Sequence, residues 1–322
     1  MNAAAAGEGP ARGGARVRVA VCVATFCRPG QLAALLESLA AQALPADTEA
    51  WLCVVDNDRQ ESARAVVDAA RPRLPFAVDY EVEPERNISL ARNRGVARAL
   101  ERGADCVAFI DDDEVARPDW LAALLAARAR FGADAVAGAV VPRTGPGTPP
   151  WVGRSRLFAQ VQPAAGTPLP TAATSNALVS RRLLEAVPGP FDPVFGLSGS
   201  GDSLFFTRAV RQGARLVAAP GAVVDEVVPP SRARVRWVLR RGFRVGNGAV
   251  WLERTLPPEN RRLGWRIVAA SARLVGSASV LPVAALMGRA AALRALWGVC
   301  YGAGCLAALA GYRYSEYAAL DR

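Results

Sequence analysis

The chain contains no histidine, and all thirty-nine of its basic residues are arginine, so lysine is absent as well. These two absences remove chemistry at the outset. There is no imidazole for a Ser-His-Asp or Cys-His relay or for a metal. There is no amine for a Schiff base and no lysine for a phosphate-cradling nucleotide loop. Catalysis here must rest on carboxylates, hydroxyls, amides and arginine, with a hard metal ion as the available helper. The six cysteines, Cys22, Cys27, Cys53, Cys106, Cys300 and Cys305, form no C-x-x-C pair. Cys22, Cys53 and Cys106 lie inside apolar runs, so the expectation is buried free thiols in a reducing compartment rather than zinc or a disulfide framework. Residues 1–16 are mostly Ala, Gly and Arg without an apolar stretch. They read as a disordered tail and not a signal peptide, which leaves the protein on the cytoplasmic side.

The 322 residues are 52% hydrophobic and 21% charged, enough for a sizeable core and about two domains. A formal charge of +10 favours anionic partners. The arginines are dispersed and no aromatic-and-basic recognition motif occurs, so nucleic acid is not an expected partner. Their densest cluster, Arg232, Arg234, Arg236, Arg240, Arg241 and Arg244, stands directly before an apolar C-terminal third. That arrangement suits an anionic membrane surface. For the overall bias, the composition of a GC-rich genome is an equal alternative.

Val17–Thr25 is nearly continuous β-branched and small apolar text, as in a strand buried on both faces. In Gln31–Gln42, Leu32, Leu35, Leu36 and Leu39 fall on one helical face. The unit recurs as strands at Trp51–Val55, Phe76–Val82, Cys106–Ile110 and Ala135–Val141, with helices at Ser62–Ala70, Ser89–Arg102 and Pro118–Phe131. This alternation predicts an α/β fold with a Rossmann-like, mostly parallel sheet and flanking helices. Ligands of such sheets bind at the carboxyl ends of the strands, so the loops at Thr25, Asp56 and Asp111 should share one crevice. Pro142–Pro170 reads as a long surface loop. A strand and short helix over Thr171–Val187, halted by Pro188, then precede a glycine-rich turn, Gly196–Gly201. A helix over Ser203–Gln212 and a β segment over Arg215–Val228 follow, with Ser231 as a candidate cap for the arginine-rich helix. Residues 274–288 and 295–312 lack charge, but Pro282 interrupts the first and Ala and Gly dilute the second. Helices lying in the membrane interface are expected ahead of a clear span. Gly298-x-x-x-Gly302 is either a close-packing helix contact or an incidental pair.

Four stretches carry candidate chemistry. Asp111, Asp112, Asp113 and Glu114 leave the end of a buried strand. Asp111 and Asp113 share one side of an extended chain, where a divalent ion is the natural counter-charge; the alternative is a solvated acidic turn. Asp56-Asn57-Asp58 ends the second strand and suits a base N–H or a ribose hydroxyl, or else an Asx turn. Arg86 and Arg92 flank a helix start, where they can grip phosphate or stack on a base, or simply face solvent. Asp202 follows Gly199-Ser200-Gly201 at a helix start, either as a general base or as an N-cap.

Together these stretches resemble a family 2 glycosyltransferase of the GT-A fold. The matching text is Val23-Ala24-Thr25-Phe26-Cys27-Arg28-Pro29, Val54-Val55-Asp56-Asn57-Asp58, Ala91-Arg92-Asn93-Arg94-Gly95, Phe109-Ile110-Asp111-Asp112-Asp113, and Gly201-Asp202 followed by Phe205-Phe206. Arg86-Asn87-Ile88-Ser89, Val227-Val228-Pro229-Pro230 and Arg240-Arg241-Gly242-Phe243-Arg244 most resemble the bacterial branch typified by succinoglycan and exopolysaccharide glucosyltransferases. The resemblance covers roughly residues 17–250. It implies that Thr25, Arg28 and Asp56 hold the nucleotide base, uracil by expectation, with Asp58, Arg86, Arg92 and Asp112 completing the nucleotide-sugar site. Asp111 would meet the ribose, and Asp113 the Mg²⁺ or Mn²⁺ on the diphosphate. Asp202 would be the general base of an inverting transfer. Two departures stand out. Gly201 replaces the usual Glu before the catalytic Asp, and Asp225-Glu226 stands where many relatives carry histidine; Glu226 would replace it as a metal ligand or as a group supporting one, or else water would take the third position. Ala233 replaces the glutamine of the processive Q-x-x-R-W motif ahead of Arg236-Trp237, which points to transfer of a single sugar.

The resulting expectation has three parts: a tail over 1–16, a GT-A catalytic domain over 17–250, and a membrane-associated helical region over 251–322. Residues 17–141 would form its nucleotide-binding half and 142–250 its acceptor half. The enzyme would move one sugar from a nucleotide donor to a lipid-linked or cell-envelope acceptor. It would work at the cytoplasmic face of the bacterial inner membrane, peripheral or weakly inserted. Arg236, Trp237, Arg240, Arg241 and Arg244 would serve the acceptor or phosphate. The alternatives are a nucleotidyltransferase and a non-catalytic sugar-nucleotide-binding protein.

Overall fold

The alternating apolar residues of β1 (Val17–Thr25) decide the layering. Val19, Val21 and Val23 face one side of the sheet and Ala20 and Cys22 the other, all buried. In this computed structural model, which describes residues 16–159, 162–187 and 189–315, each face receives its own layer of helices. The first core packs α1 (Pro29–Ala40) and α4 (Trp120–Phe131) onto the sheet through Leu32, Leu35, Leu36, Trp120 and Leu124. The second packs α3 (Ile88–Glu101) and α7 (Gly201–Arg211) through Ala91, Val96, Phe205 and Phe206. Gly95 of α3 permits this approach, because a Cβ there would already touch Val55 at 3.4 Å.

The remaining strands are β2 (Thr48–Asp56), β3 (Ala77–Val82), β4 (Cys106–Ile110), β5 (Glu114–Ala116), β6 (Ala135–Thr144), β7 (Asn176–Ser180) and β8 (Leu216–Val228). Their order is β3-β2-β1-β4-β7-β6-β8-β5. The first four are parallel. β7 runs antiparallel to both β4 and β6, β6 and β8 are parallel, and β5 is antiparallel to β8. The mostly parallel α/β sheet expected from the sequence is therefore present, with one reversal beside its centre. The short α2 (Arg64–Ala70) and α6 (Arg181–Ala186) complete the flanks.

Several local expectations need correction. Pro142–Pro170 is not all surface loop: β6 runs on to Thr144, and α5 (Trp151–Ser155) buries Trp151 and Val152. Ser231 does not cap the arginine-rich helix. α8 (Val235–Thr255) begins after Arg234 without a side-chain cap, and Ser231 is exposed in the preceding turn. Glu114 belongs to β5, where its buried carboxylate accepts the Asp111 N–H at 2.9 Å. Cys27 is an exposed thiol and Cys300 a half-buried one, while the other four are buried; all six are free. The expected tail, apart from Arg16, lies outside the described residues, as does Pro188.

α8, α9 (Leu263–Leu286) and α10 (Arg289–Leu309) form a C-terminal bundle. Glycine fixes its spacing. The Gly298-x-x-x-Gly302 pair faces α9, where a Cβ on Gly298 would strike Ser277 and one on Gly302 would stand 2.6 Å from that of Leu274. Gly304 and Gly246 perform the same task between α10 and α8, against the Phe243 and Tyr301 carbonyls. Both α9 and α10 are long and apolar enough to cross a membrane. α10 is partly covered by its neighbours, whereas α9 turns Trp265, Val268, Val275, Val283 and Leu286 outward, all more than half exposed. One buried carboxylate ties the bundle to the sheet domain. Glu253 of α8 receives Arg211 of α7 at 2.7 and 3.0 Å, Arg266 of α9 at 3.1 Å and the Arg262 N–H at 2.8 Å.

Candidate active site

The carboxyl ends of β1, β2 and β4 open into one crevice, as the parallel register requires: Thr25 sits beside Asp56, and β4 ends just ahead of Asp111. Asp112, nearly inaccessible, accepts the Thr25 hydroxyl at 2.8 Å and Arg28 at 3.1 Å. The same guanidinium reaches Asp113 at 3.3 Å. Arg92 holds Asp111 at 3.1 Å, and Arg232 joins Asp113, at 3.0 Å, to Glu226. The acidic run is thus held by arginines, with Asp112 and Glu114 buried and Asp111 partly open to solvent. Arg28 lies between Asp112 and Asp113, Arg92 holds Asp111, and Arg232 ties Asp113 to Glu226.

Desolvation lifts Asp111, Asp112 and Glu226. Burial pushes Asp112 up to about 6 against the opposing pull of Arg28 and Thr25. Asp111 is raised by burial, with Arg92 opposing and the charges of Asp113 and Asp202 reinforcing. Glu226 is raised by burial, with Arg232 opposing and Asp113 reinforcing.

Asp202 stands in the first turn of α7, where its carboxylate accepts the Ser203 N–H at 2.7 Å. The turn before it is tight: Gly199 and Ser200 both adopt positive φ, 77° and 75°. Gly201 has a steric reason. A Cβ there would meet Ser89 Oγ at 3.2 Å and Phe195 Cβ at 3.4 Å, so the side chain usual in relatives would need both neighbours to give way.

The base-side residues divide. Asp56 is fully buried, and its carboxylate accepts the Ala63 N–H at 2.8 Å, the Tyr80 hydroxyl at 2.7 Å and the Asp58 N–H at 3.1 Å. It shapes the loop that lines the crevice. Asp58 and Cys27 are in contact at 3.4 Å, and Arg86 lies over the Phe26 ring at 4.8 Å. Asn57 and Asn87, a pair that motif reading passed over as a contact, brace this rim. Asn57 accepts the Asn87 N–H at 2.9 Å, and Asn87 caps α3 while donating to Pro193 O at 3.0 Å. The signal for Asn87 was available in the sequence, since asparagine before an apolar helix is a strong N-cap.

The arginine-rich helix is divided by its own periodicity. Trp237, Arg241 and Arg244 are half-buried on one side, while Arg236 and Arg240 are exposed and are not brought into the crevice. Trp237 stacks on Phe158 with ring centroids 5.7 Å apart and planes 9° from parallel, and Arg232 and Arg241 flank it at 5.9 and 5.4 Å. Burial and the nearby Arg244 push the Arg241 guanidinium down, with Glu226 opposing. Asp225 turns to the other face of β8, paired with Arg143 at 2.9 Å and Arg117 at 3.5 Å, and leaves Glu226 alone to face Asp113. Arg232, read from sequence only as one of a membrane-facing cluster, is a crevice residue.

The donor set of Asp111, Asp113 and Glu226 is all hard oxygen and suits Mg²⁺ or Mn²⁺. Arg232 already bridges Asp113 and Glu226. Among the described residues no three acid, cysteine or histidine side chains form a ready-made metal cluster.

The model of glycosyl transferase family 2 matches residues 20–187, and that of glycosyl transferase family group 2 matches residues 106–311. The succinoglycan biosynthesis protein ExoM of Rhizobium meliloti is 36% identical over 260 residues, which covers 80% of this chain and 82% of that protein. Among solved structures, the mannosyltransferase PcManGT of Pyrobaculum calidifontis, in complex with GDP-Man and Mn²⁺, is similar with a TM-score of 0.60 at 22% identity. It covers 91% of this chain and 88% of that one. A structure of S. aureus TarS with UDP-GlcNAc gives 0.51 at 16% identity, over 92% and 93%. A mostly parallel sheet with acids gathered at its strand ends, and these structural likenesses, define the GT-A fold, and the family models with the 36% identical relative make the chain a glycosyltransferase. Within that class, the chain belongs to glycosyl transferase family 2.

Proposed function

We propose that the protein transfers one sugar from a uridine diphosphate donor to a hydroxyl of a lipid-linked exopolysaccharide intermediate, with inversion at the anomeric carbon. The observation that carries this reading is the acidic crevice at the strand ends, where Arg28, Arg92 and Arg232 engage Asp112, Asp111 and the Asp113–Glu226 pair, with the turn ahead of Asp202 packed on the start of α3. In-line displacement needs a base on the acceptor side and positive charge on the departing diphosphate. Asp202 removes the acceptor proton, and Arg28, Arg92 and Arg232 offer charge to the donor phosphates. A divalent ion, held by Asp113 and Glu226, would neutralise the charge that develops on the diphosphate. Thr25 and Asp58 line the base site, Asp56 shapes its loop, and Arg86 covers it. Trp237 presents its ring toward the acceptor side, with Arg241 and Arg244 beside it. The 36% identity to a succinoglycan biosynthesis protein supports the exopolysaccharide assignment.

In this reading the catalytic unit runs from residue 17 to the start of α8, and the bundle from α8 onward meets the membrane, since the boundary expected at 250 falls inside that helix. The outward apolar row of α9 lies in the cytoplasmic leaflet, and the exposed Arg234, Arg236 and Arg240 meet anionic headgroups. Membranes incubated with radiolabelled UDP-sugars and Mn²⁺ test the reaction. Wild type should label the lipid fraction, and Asp202→Asn should lower the rate about a hundred-fold or more while still binding donor. Robust transfer by Asp202→Asn would remove the base from this account.

A further inference from the structure

Beyond α10 the chain turns back on itself. Tyr312 O accepts from Asn247 Nδ2 at 2.9 Å and from Trp251 Nε1 at 3.0 Å, both on α8. The Tyr314 N–H donates to Asn247 Oδ1 at 3.0 Å. Asn247 is buried, so its amide serves as a socket for the returning strand. Arg313 then crosses to the sheet domain. Its Nη2 donates to Val194 O at 2.7 Å, and its guanidinium lies over Phe195 at 5.0 Å and Trp251 at 5.4 Å. Ser315 Oγ donates to Leu197 O at 3.4 Å.

The segment so gripped is the turn that delivers Asp202. It begins at Pro193–Phe195, passes through the positive-φ pair Gly199 and Ser200, and ends at the first residue of α7. On its inner side Asn87 holds Pro193 O at 3.0 Å and packs against Gly196. On its outer side Val194 and Leu197 are substantially exposed and meet Arg313 and Ser315 through their carbonyls. Phe195 anchors the segment in a small apolar core with Leu204, Leu252 and Leu256, while the exposed Val194 and Leu197 on either side of it are held through their backbone carbonyls.

We infer that residues 312–315 are a positioning strap for the Asp202 turn, with Arg313 as its principal residue: the C-terminal strand fixes the general base against the crevice. This rests on the assignment of Asp202 as base, and its test separates the two. Hydrogen exchange of the peptide 192–201 in the full-length protein, Tm and label transfer from UDP-sugars to membranes are compared for wild type, Arg313→Ala, Arg313→Lys and Asp202→Asn. Arg313→Ala should raise exchange of 192–201 about ten-fold and lower kcat about ten-fold, with donor KM and Tm unchanged. Arg313→Lys, which keeps the donor to Val194 O, should recover part of both. Unaltered exchange in Arg313→Ala, or faster exchange without a fall in kcat, overturns the strap. Equal falls in Tm and kcat with no rescue by lysine overturn it too, since they mark a merely structural contact. Wild-type transfer by Asp202→Asn would instead defeat the base assignment while leaving the exchange result standing.

Discussion

Arg232, in the turn after β8, donates to Asp113 at 3.0 Å across 119 residues of sequence, and the same guanidinium holds Glu226. Without it, Glu226 would lose the guanidinium that joins it to Asp113, and Asp113 would keep only Arg28, at 3.3 Å. Arg232→Ala should weaken UDP binding about ten-fold or more, measured by calorimetric titration. Arg232→Lys should recover little, because a point charge cannot bridge two acids as a planar fork does.

Asp112 supplies the acid limb of the pH profile. Its carboxyl is raised to about 6, so in the fold its ionised form is disfavoured, and its contribution to stability is greatest when protonated and lost as pH rises through 6. Its grip on Arg28 and Thr25 has the opposite requirement. Donor kcat/KM should fall as pH drops through about 6, and Asp112→Asn should lower the plateau and flatten that limb.

Glu253 behaves in the opposite sense. Burial raises its carboxyl, but Arg211, the Arg262 N–H and Arg266 more than offset this and bring it to about 2. A depressed carboxyl stabilises the fold above its unfolded value of roughly 4.3 and loses that stabilisation as pH falls toward 2. Glu253→Gln should cost about 2–3 kcal/mol near neutrality, read by denaturant unfolding, and should blunt the acid sensitivity between about pH 4 and 2.

Gly304 lies on the Phe243 carbonyl, with no side chain that could yield. Gly304→Val should force α10 off α8 and destabilise the bundle by about 1–3 kcal/mol or more. Gly276→Ala, where nothing stands within 4 Å, is the matched control and should be neutral or slightly stabilising.

The outer face of α9 predicts a selective binding defect. Trp265→Ser with Leu286→Ser should reduce sedimentation with vesicles containing anionic lipid by about ten-fold while leaving UDP binding unchanged. Release of wild type by high salt alone would show that the apolar row contributes little.

Legibility followed locality. β1 is written in Val17–Thr25 itself, because a strand buried on both faces must be apolar throughout, and the structure keeps those bounds. The strand-end acids were equally plain, since their position follows from strand ends. α5 was hidden, because Trp151 and Val152 become core only once α10 lies over them. The antiparallel β7 was hidden too, because five residues cannot declare a direction before their neighbours exist. Arg232 and Arg236 look alike as text. Only the start of α8 at Val235 sends one into the crevice and the other to solvent.

The arginine bridges have a regulatory corollary. Guanidinium stays protonated across any physiological range, and it is not a substrate for the acylation that silences lysine amines. The cationic wall of this crevice therefore cannot be titrated or acylated away. The adjustable groups around the crevice are its carboxylates and the exposed Cys27 thiol, so acid, a competing divalent cation, a soluble polyphosphate or a thiol reagent is what remains to throttle the enzyme.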